Sequence, residues 1–175
     1  MFFACRPESL GLHVGDSVDV LFNIDVNEWK GRRSVQFIVR DIKYSESRQN
    51  AIVMEEQRFL EIWNGAKFTP EENVLPMRDD FAAVYRMIVA SVRCGADTLG
   101  IRDILFRLSH TREGAEIGYV KLHIIIKVMQ ELNLMGINEI EKEKYQFSIH
   151  YRSSKTELDK SNLLRRIRSQ QIIAN

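Results

Sequence analysis

The 175 residues are 45% hydrophobic and 28% charged, with Gly 9 and Pro 3, an ordinary globular balance that excludes disordered and collagen-like chains and leaves room for one domain or two small ones. Twenty-five Lys and Arg against 24 Asp and Glu leave a net charge of +1, so no whole-molecule field draws the chain to nucleic acid or an anionic membrane, and such binding must come from a local patch. The longest apolar run, residues 122–129, is broken by His123 and Lys127 and falls short of the roughly 20 residues that span a bilayer, so no membrane segment is expected. Cys5 and Cys94 stand alone, without disulfide or zinc spacing, and each reads as a small buried hydrophobe. Residues 1–7 lack the pattern of a signal peptide. A reducing cytoplasm is the expected compartment.

Phe2–Cys5 is a candidate short strand, joined through Pro7 and a Val14-Gly15-Asp16 turn to a longer one. In that longer strand Val18, Val20, Phe22, Ile24 and Val26 alternate with Asp19, Leu21, Asn23, Asp25 and Asn27, the period of a half-buried strand. Ser34–Ile42 is a second strand, with Val35, Phe37 and Val39 on one face and Gln36, Ile38, Arg40 and Ile42 on the other; both faces are partly apolar, which places it inside a sheet or barrel. Gly31 supplies a hairpin turn between them. A connecting helix is expected over Met54–Trp63, stopped by Asn64-Gly65. A change of architecture falls near Thr69–Asn73. Beyond it the spacing predicts helices over Asp79–Arg93, over Ile101–Leu108 with Asp97 or Thr98 as its cap, and over Glu116–Asn133. Ile137–Glu141 and Lys144–His150 then form a hairpin, and Thr156–Gln170 a last helical stretch. The order helix, helix, helix, hairpin is that of a winged helix. The predicted class is α+β: a partial oligonucleotide-binding (OB) type β-barrel over residues 1–48, a linker helix over 49–72, and a winged-helix-like domain with a basic tail helix over 73–175.

No clustered Asp and His suited to a two-metal hydrolase occurs. Asp79-Asp80 is the only adjacent aspartate pair, and neighbours on a helix point about 100° apart, so they read as helix-start residues. Nucleophile-elbow, Walker and dinucleotide patterns are also missing. Binding chemistry has more support. Trp29 beside Lys30, Arg32 and Arg33 at a hairpin tip combines a flat ring with three cations, the means by which a single strand is stacked and its phosphates held; Gln36 and Arg40 extend that surface. The same residues would also suit a solvated turn with the tryptophan folded back on the sheet. The third predicted helix is apolar almost all round, with Lys121, His123 and Lys127 its only basic or titratable groups, which marks a buried helix and a poor reader of a DNA groove. From His150 onward Arg152, Lys155, Lys160, Arg165, Arg166 and Arg168 face only Glu157 and Asp159. Arg165, Arg166 and Arg168 could capture an acidic peptide or phosphate, or simply form a solvated helix face.

Gly15-Asp16-Ser17-Val18-Asp19-Val20-Leu21-Phe22, then Asn27-Glu28-Trp29-Lys30-Gly31-Arg32-Arg33-Ser34-Val35-Gln36, then Val39-Arg40-Asp41-Ile42 resemble the end of the oligonucleotide-binding domain of the RecJ family of single-strand-specific DNA exonucleases. Leu75-Pro76-x-Arg78, Phe81 and Val84-Tyr85-Arg86 look like the start of the extra C-terminal domain in RecJ proteins of Gram-positive type. The resemblance implies a parent enzyme that degrades single-stranded DNA from the 5′ end with manganese or magnesium held by Asp-His-His-type motifs. Those motifs do not occur in this sequence, so it implies a non-catalytic C-terminal portion. It further implies contacts with single-stranded DNA through Trp29, Lys30, Arg32 and Arg33, docking to the parent's nuclease domains, and the acidic tail of single-strand-binding protein as a ligand for Arg165, Arg166 and Arg168. The alternative is a winged-helix regulator that binds duplex DNA and carries a β-appendage.

Overall fold

A computed structural model describes residue 12 and residues 16–150 and 157–172; the proposed strand at Phe2–Cys5, the turn at Val14-Gly15, Cys5, Arg152 and Lys155 lie outside them. The class is α+β, with two separate antiparallel sheets and, among the described residues, no closed barrel. The chain forms two compact units that divide between Met54 and Glu55.

The first unit is a long hairpin of β1 (Val18–Trp29) and β2 (Arg32–Tyr44). Lys30 and Gly31 connect the strands with φ of 50° and 75°, both in the left-handed region that a tight two-residue hairpin turn demands and that glycine enters without cost. The ladder slips once. Leu21 pairs with Asp41 but Phe22 with Val39, leaving Arg40 as the extra residue of a β-bulge. Strict alternation put Ile42 on the face of Gln36 and Arg40; the bulge moves it to the other. Val20 and Ile42, Phe22 and Val39, Ile24 and Phe37, and Val26 and Val35 are opposite pairs, and opposite pairs share a face. One face of the hairpin is therefore apolar along its length, while the polar residues collect on the other. Helix α1 (Glu46–Trp63) begins two residues after β2, well before the expected Met54.

The second unit holds the core. Helices α2 (Arg78–Arg93), α3 (Ile101–Ser109) and α4 (Tyr119–Glu131) pack with a three-stranded sheet in the order β3-β5-β4, where β3 is Thr98–Gly100, β4 Gly136–Glu141 and β5 Lys144–Ser148. Asp80 starts α2 by accepting the Met77 amide at 2.7 Å, and Gly95 at φ 85° lets the chain leave its end. Asp97 and Thr98 do not cap α3. Thr98 pairs with Gln146 in the sheet, and the cap is Gly100, whose amide is taken by Asp103 at 3.0 Å. The core runs from Ile62 of α1 and Phe68 through Val84, Ile88, Ile104 and Leu122 to Phe147; each such side chain contributes about 1.5–3 kcal/mol on burial. Cys94 is exposed at the end of α2 rather than buried.

The tail is broken where one helix was expected. Leu158–Lys160 is a 3₁₀ turn, Ser161 is the cap, and α5 covers Asn162–Ser169. Ser161 Oγ accepts the Leu164 amide at 2.9 Å. The Glu131 carboxylate reaches across from α4 to take the Asn162 and Leu163 amides at 2.9 and 3.3 Å and the Ser161 hydroxyl, so an internal anion occupies the positive end of α5. Leu164 and Ile167 are buried beneath it. Among the described residues no helix is long and apolar enough to cross a membrane.

Candidate nucleic-acid interface

The hairpin turn sets Trp29 directly opposite Arg32, so ring and guanidinium project from the same face at the tip. Trp29 is 72% exposed, the reverse of a tryptophan folded back on its sheet. Lys30, in the turn itself, completes the tip. Arg33 goes elsewhere: it pairs opposite Glu28 at the end of the apolar face and donates to its carboxylate at 3.0 Å. Gln36 shares the polar face with Trp29 and donates to Asp25 at 3.2 Å. Arg40, set free by the bulge, lies over Asn23, whose side-chain oxygen, when turned toward it, accepts two bonds at 3.1 and 3.3 Å. Six predicted contacts thus resolve into an exposed triad, Trp29, Lys30 and Arg32, two residues already bonded on the same face, and one on the opposite face.

The three tail arginines also part. Arg166 stacks its guanidinium over the Trp63 ring at 5.0 Å. Beside this pair an open groove of about 510 Å³ is lined by Lys127, Gln130, Glu131, Asn162 and Leu163. Arg165 is turned back on Asn162 at 2.6 Å and Arg168 onto Asp159 at 3.2 Å. Of the three, Arg166 alone contributes to the groove. Trp63 carried no signal in the sequence, because its partner lies a hundred residues further on.

Helix α4 buries nine side chains, Lys121 and His123 among them. The Lys121 ammonium donates to Asn73 Oδ1 at 2.6 Å and lies 3.4 Å from Asp80 Oδ2. Lys127 bonds Glu139 at 3.1 Å and rests 5.5 Å from the centre of the Tyr145 ring. Neither lysine is available to a DNA groove. Burial, helped by a nearby carboxylate, pushes the Tyr145 phenol up to about 12, and burial with the Glu143 contact raises that of Tyr119 as well.

Among the described residues no three His, Cys, Asp or Glu side chains stand together as metal ligands. Asp80, the better placed half of the aspartate pair, is already committed to the Met77 amide and to Lys121, so these residues do not fit the manganese or magnesium of a nuclease centre. Comparisons of the chain with protein-family models, curated proteins and solved structures found no match.

Proposed function

We propose that this chain is the non-catalytic C-terminal part of a RecJ-like 5′–3′ single-stranded-DNA exonuclease, binding the single strand at the hairpin tip and a protein partner on the helical unit. The observation that carries this reading is the two-sidedness of the β1–β2 hairpin. Its apolar face leaves Ile24 and Phe37 67% and 63% exposed, as the inner face of an OB-type barrel would be before its other strands cover it. The polar face, with Trp29, Lys30 and Arg32 at the tip, then lies outside, where loops of such barrels meet oligonucleotides. Stacking on an exposed ring tolerates any base and is worth about 1–3 kcal/mol per base. In this reading the metal and the cleavage belong to the parent's nuclease domains, and the strands that cover the hairpin belong to its oligonucleotide-binding domain.

The α2–α3–α4 and β4–β5 arrangement supports a winged-helix-like second domain used for docking. The groove beside Trp63 and Arg166, with Leu163 in its wall and its one carboxylate, Glu131, already taken up by the start of α5, suits a peptide that mixes acidic and apolar residues, such as the acidic tail of single-strand-binding protein, with Arg166 as the cation that meets it. The duplex-reading alternative requires α4 to present side chains to a major groove, and α4 keeps its lysines and its histidine engaged within the domain.

The test is fluorescence anisotropy with a labelled deoxythymidine oligomer across a salt series. Two free cations, Lys30 and Arg32, give a slope of log affinity against log salt near −1.4, at about −0.7 per contact. Trp29→Ala is expected to lower affinity at least fivefold, and Arg32→Glu to flatten the slope by roughly half. Arg33→Glu, on the other face, changes little. Wild-type protein that does not bind, or Trp29→Ala and Arg32→Glu variants that bind as well as wild type, would overturn the reading.

A further inference from the structure

Both ring nitrogens of His123 and Nη2 of Arg102 are buried with no hydrogen-bond partner among the described residues. The two side chains belong to one cluster. The His123 ring stacks on Phe59 of α1 at 4.5 Å and packs against Tyr119 at the same distance; Arg102 of α3 lies 4.6 Å from the centre of the Tyr119 ring and returns to α1 through Glu55 at 2.5 Å. The α1 segment of residues 55–63 is thus fastened by Phe59 on the histidine, Glu55 on Arg102 and Glu56 on Lys142 at 2.9 Å.

Every acid around the histidine already has a partner. Glu55 holds Arg102 and Glu56 holds Lys142; Glu139 of β4 holds Lys127; Glu143, in the β4–β5 turn, accepts the Tyr119 hydroxyl. Glu143 Oε1 lies 3.9 Å from His123 Nε2, beyond hydrogen-bond reach. Lys127 on the same helix and Arg102 opposite add positive charge. An imidazolium formed here would be buried without a hydrogen bond, and the pull of Glu139, Glu56 and the more distant Glu143 is set against the push of Lys127 and Arg102, so burial decides the balance. Of the two elements α1 is the less deeply held: Ile62 is its one buried side chain, beside Arg58 bonds to Glu72 and the Lys67 carbonyl at 2.7 and 3.0 Å, while α4 buries nine.

We propose that residues 55–63 of α1 form a proton-operated latch: protonation of His123 lifts Phe59 and frees this segment while α4 stays in place. The segment is the first part of the second unit, so its release is confined to the edge of that unit. Burial, reinforced by Lys127, holds the closed-state imidazolium at about 4 against an ordinary 6.5. A group whose affinity for protons is lowered on closing stabilises the closed form fully above its ordinary value and loses that stabilisation as pH falls toward the lowered one. The latch is therefore shut above about pH 6.5 and loosens down to about pH 4. Between pH 7.5 and pH 5 the opening equilibrium rises roughly 30-fold.

Amide hydrogen exchange of the full chain at pH 7.5, 6 and 5, corrected for intrinsic rates, tests this. Peptides from 55–63 are expected to show the roughly 30-fold rise and those from 122–129 to stay protected; His123→Phe, which keeps a ring against Phe59 and Tyr119, removes the response. Equal loss of protection in both regions, or an undiminished response in His123→Phe, overturns the latch. Nuclear magnetic resonance titration of the wild-type imidazole decides the matter should the variant fold poorly: a midpoint well below the ordinary value, raised in Lys127→Met, supports it, and a midpoint at or above about 6.5 refutes it.

Discussion

Replacing Lys121 by methionine removes an ammonium that is 4% exposed while keeping most of the stem's volume. Its head joins three parts of the second unit: α4 itself, Asn73 at 2.6 Å and Asp80 at the start of α2, 3.4 Å away. Asn73 sits in the left-handed region at φ 50°, and its Nδ2 donates to the Glu116 carbonyl at 3.1 Å, so the lysine also braces a strained turn. Two costs add in Lys121→Met. The Asn73 oxygen loses its donor, and because Asn73 is itself exposed water can replace it, so the cost is that of one ordinary hydrogen bond, about 1 kcal/mol. Asp80 loses its cation, and removing one partner of a fully buried pair costs about 3–5 kcal/mol; this carboxylate is partly exposed and keeps the Met77 amide, so the loss is nearer 1 kcal/mol. The expected total is about 2 kcal/mol. Urea denaturation followed by tryptophan fluorescence and circular dichroism should show it as a lower midpoint with an unchanged slope. Asp80→Asn in the same chain should recover part of the loss, since the carboxylate left without its cation is then gone. A Lys121→Met variant within about 0.5 kcal/mol of wild type would refute the argument. Charge reversal at Lys121 consequently reports on folding rather than on DNA contact.

Ser161→Ala removes the hydroxyl that accepts the Leu164 amide and bonds Glu131; a loss of about 1–2 kcal/mol should appear as faster proteolytic cleavage within α5, and unchanged cleavage would deny the cap its role. The apolar hairpin face predicts that the chain binds the dye 8-anilinonaphthalene-1-sulfonate. Ile24→Glu with Phe37→Glu should lower that fluorescence by roughly half or more, and an undiminished signal would mean that the face is covered.

Much of the architecture was legible because it rests on short-range regularities. Alternation over residues 18–26 and 34–42 marks strands, Gly31 marks the turn between them, and three- and four-residue spacing marks α2, α3 and α4. The all-round apolar sequence of α4 already marked it as a buried helix, and its burial follows from that same composition. The hairpin tip was legible for a similar reason: Trp29 and Arg32 flank a two-residue turn, and a tight turn sets its flanking residues side by side.

The sidedness of the remaining candidates was not legible. A single extra residue at Arg40 changes which face Ile42 joins, and no local pattern announces a bulge, since its position depends on how two strands pair. Arg33 reads as one more cation at the tip until the register sets it beside Glu28 on the apolar face. The basic tail reads as a cluster until Ser161 and Glu131, thirty residues apart, fix the start of α5 and turn Arg165, Arg166 and Arg168 toward different neighbours. The histidine of α4 gives no hint in sequence that Phe59, Tyr119 and Arg102 will surround it. The sequence by itself determined element types, their order and the α+β class, because backbone preference and hydrophobic period act over a few residues. Only the tertiary structure decided which charges are free, which are paired and which are buried, because a charge is neutralised by whatever lies within a few ångströms of it, however distant along the chain.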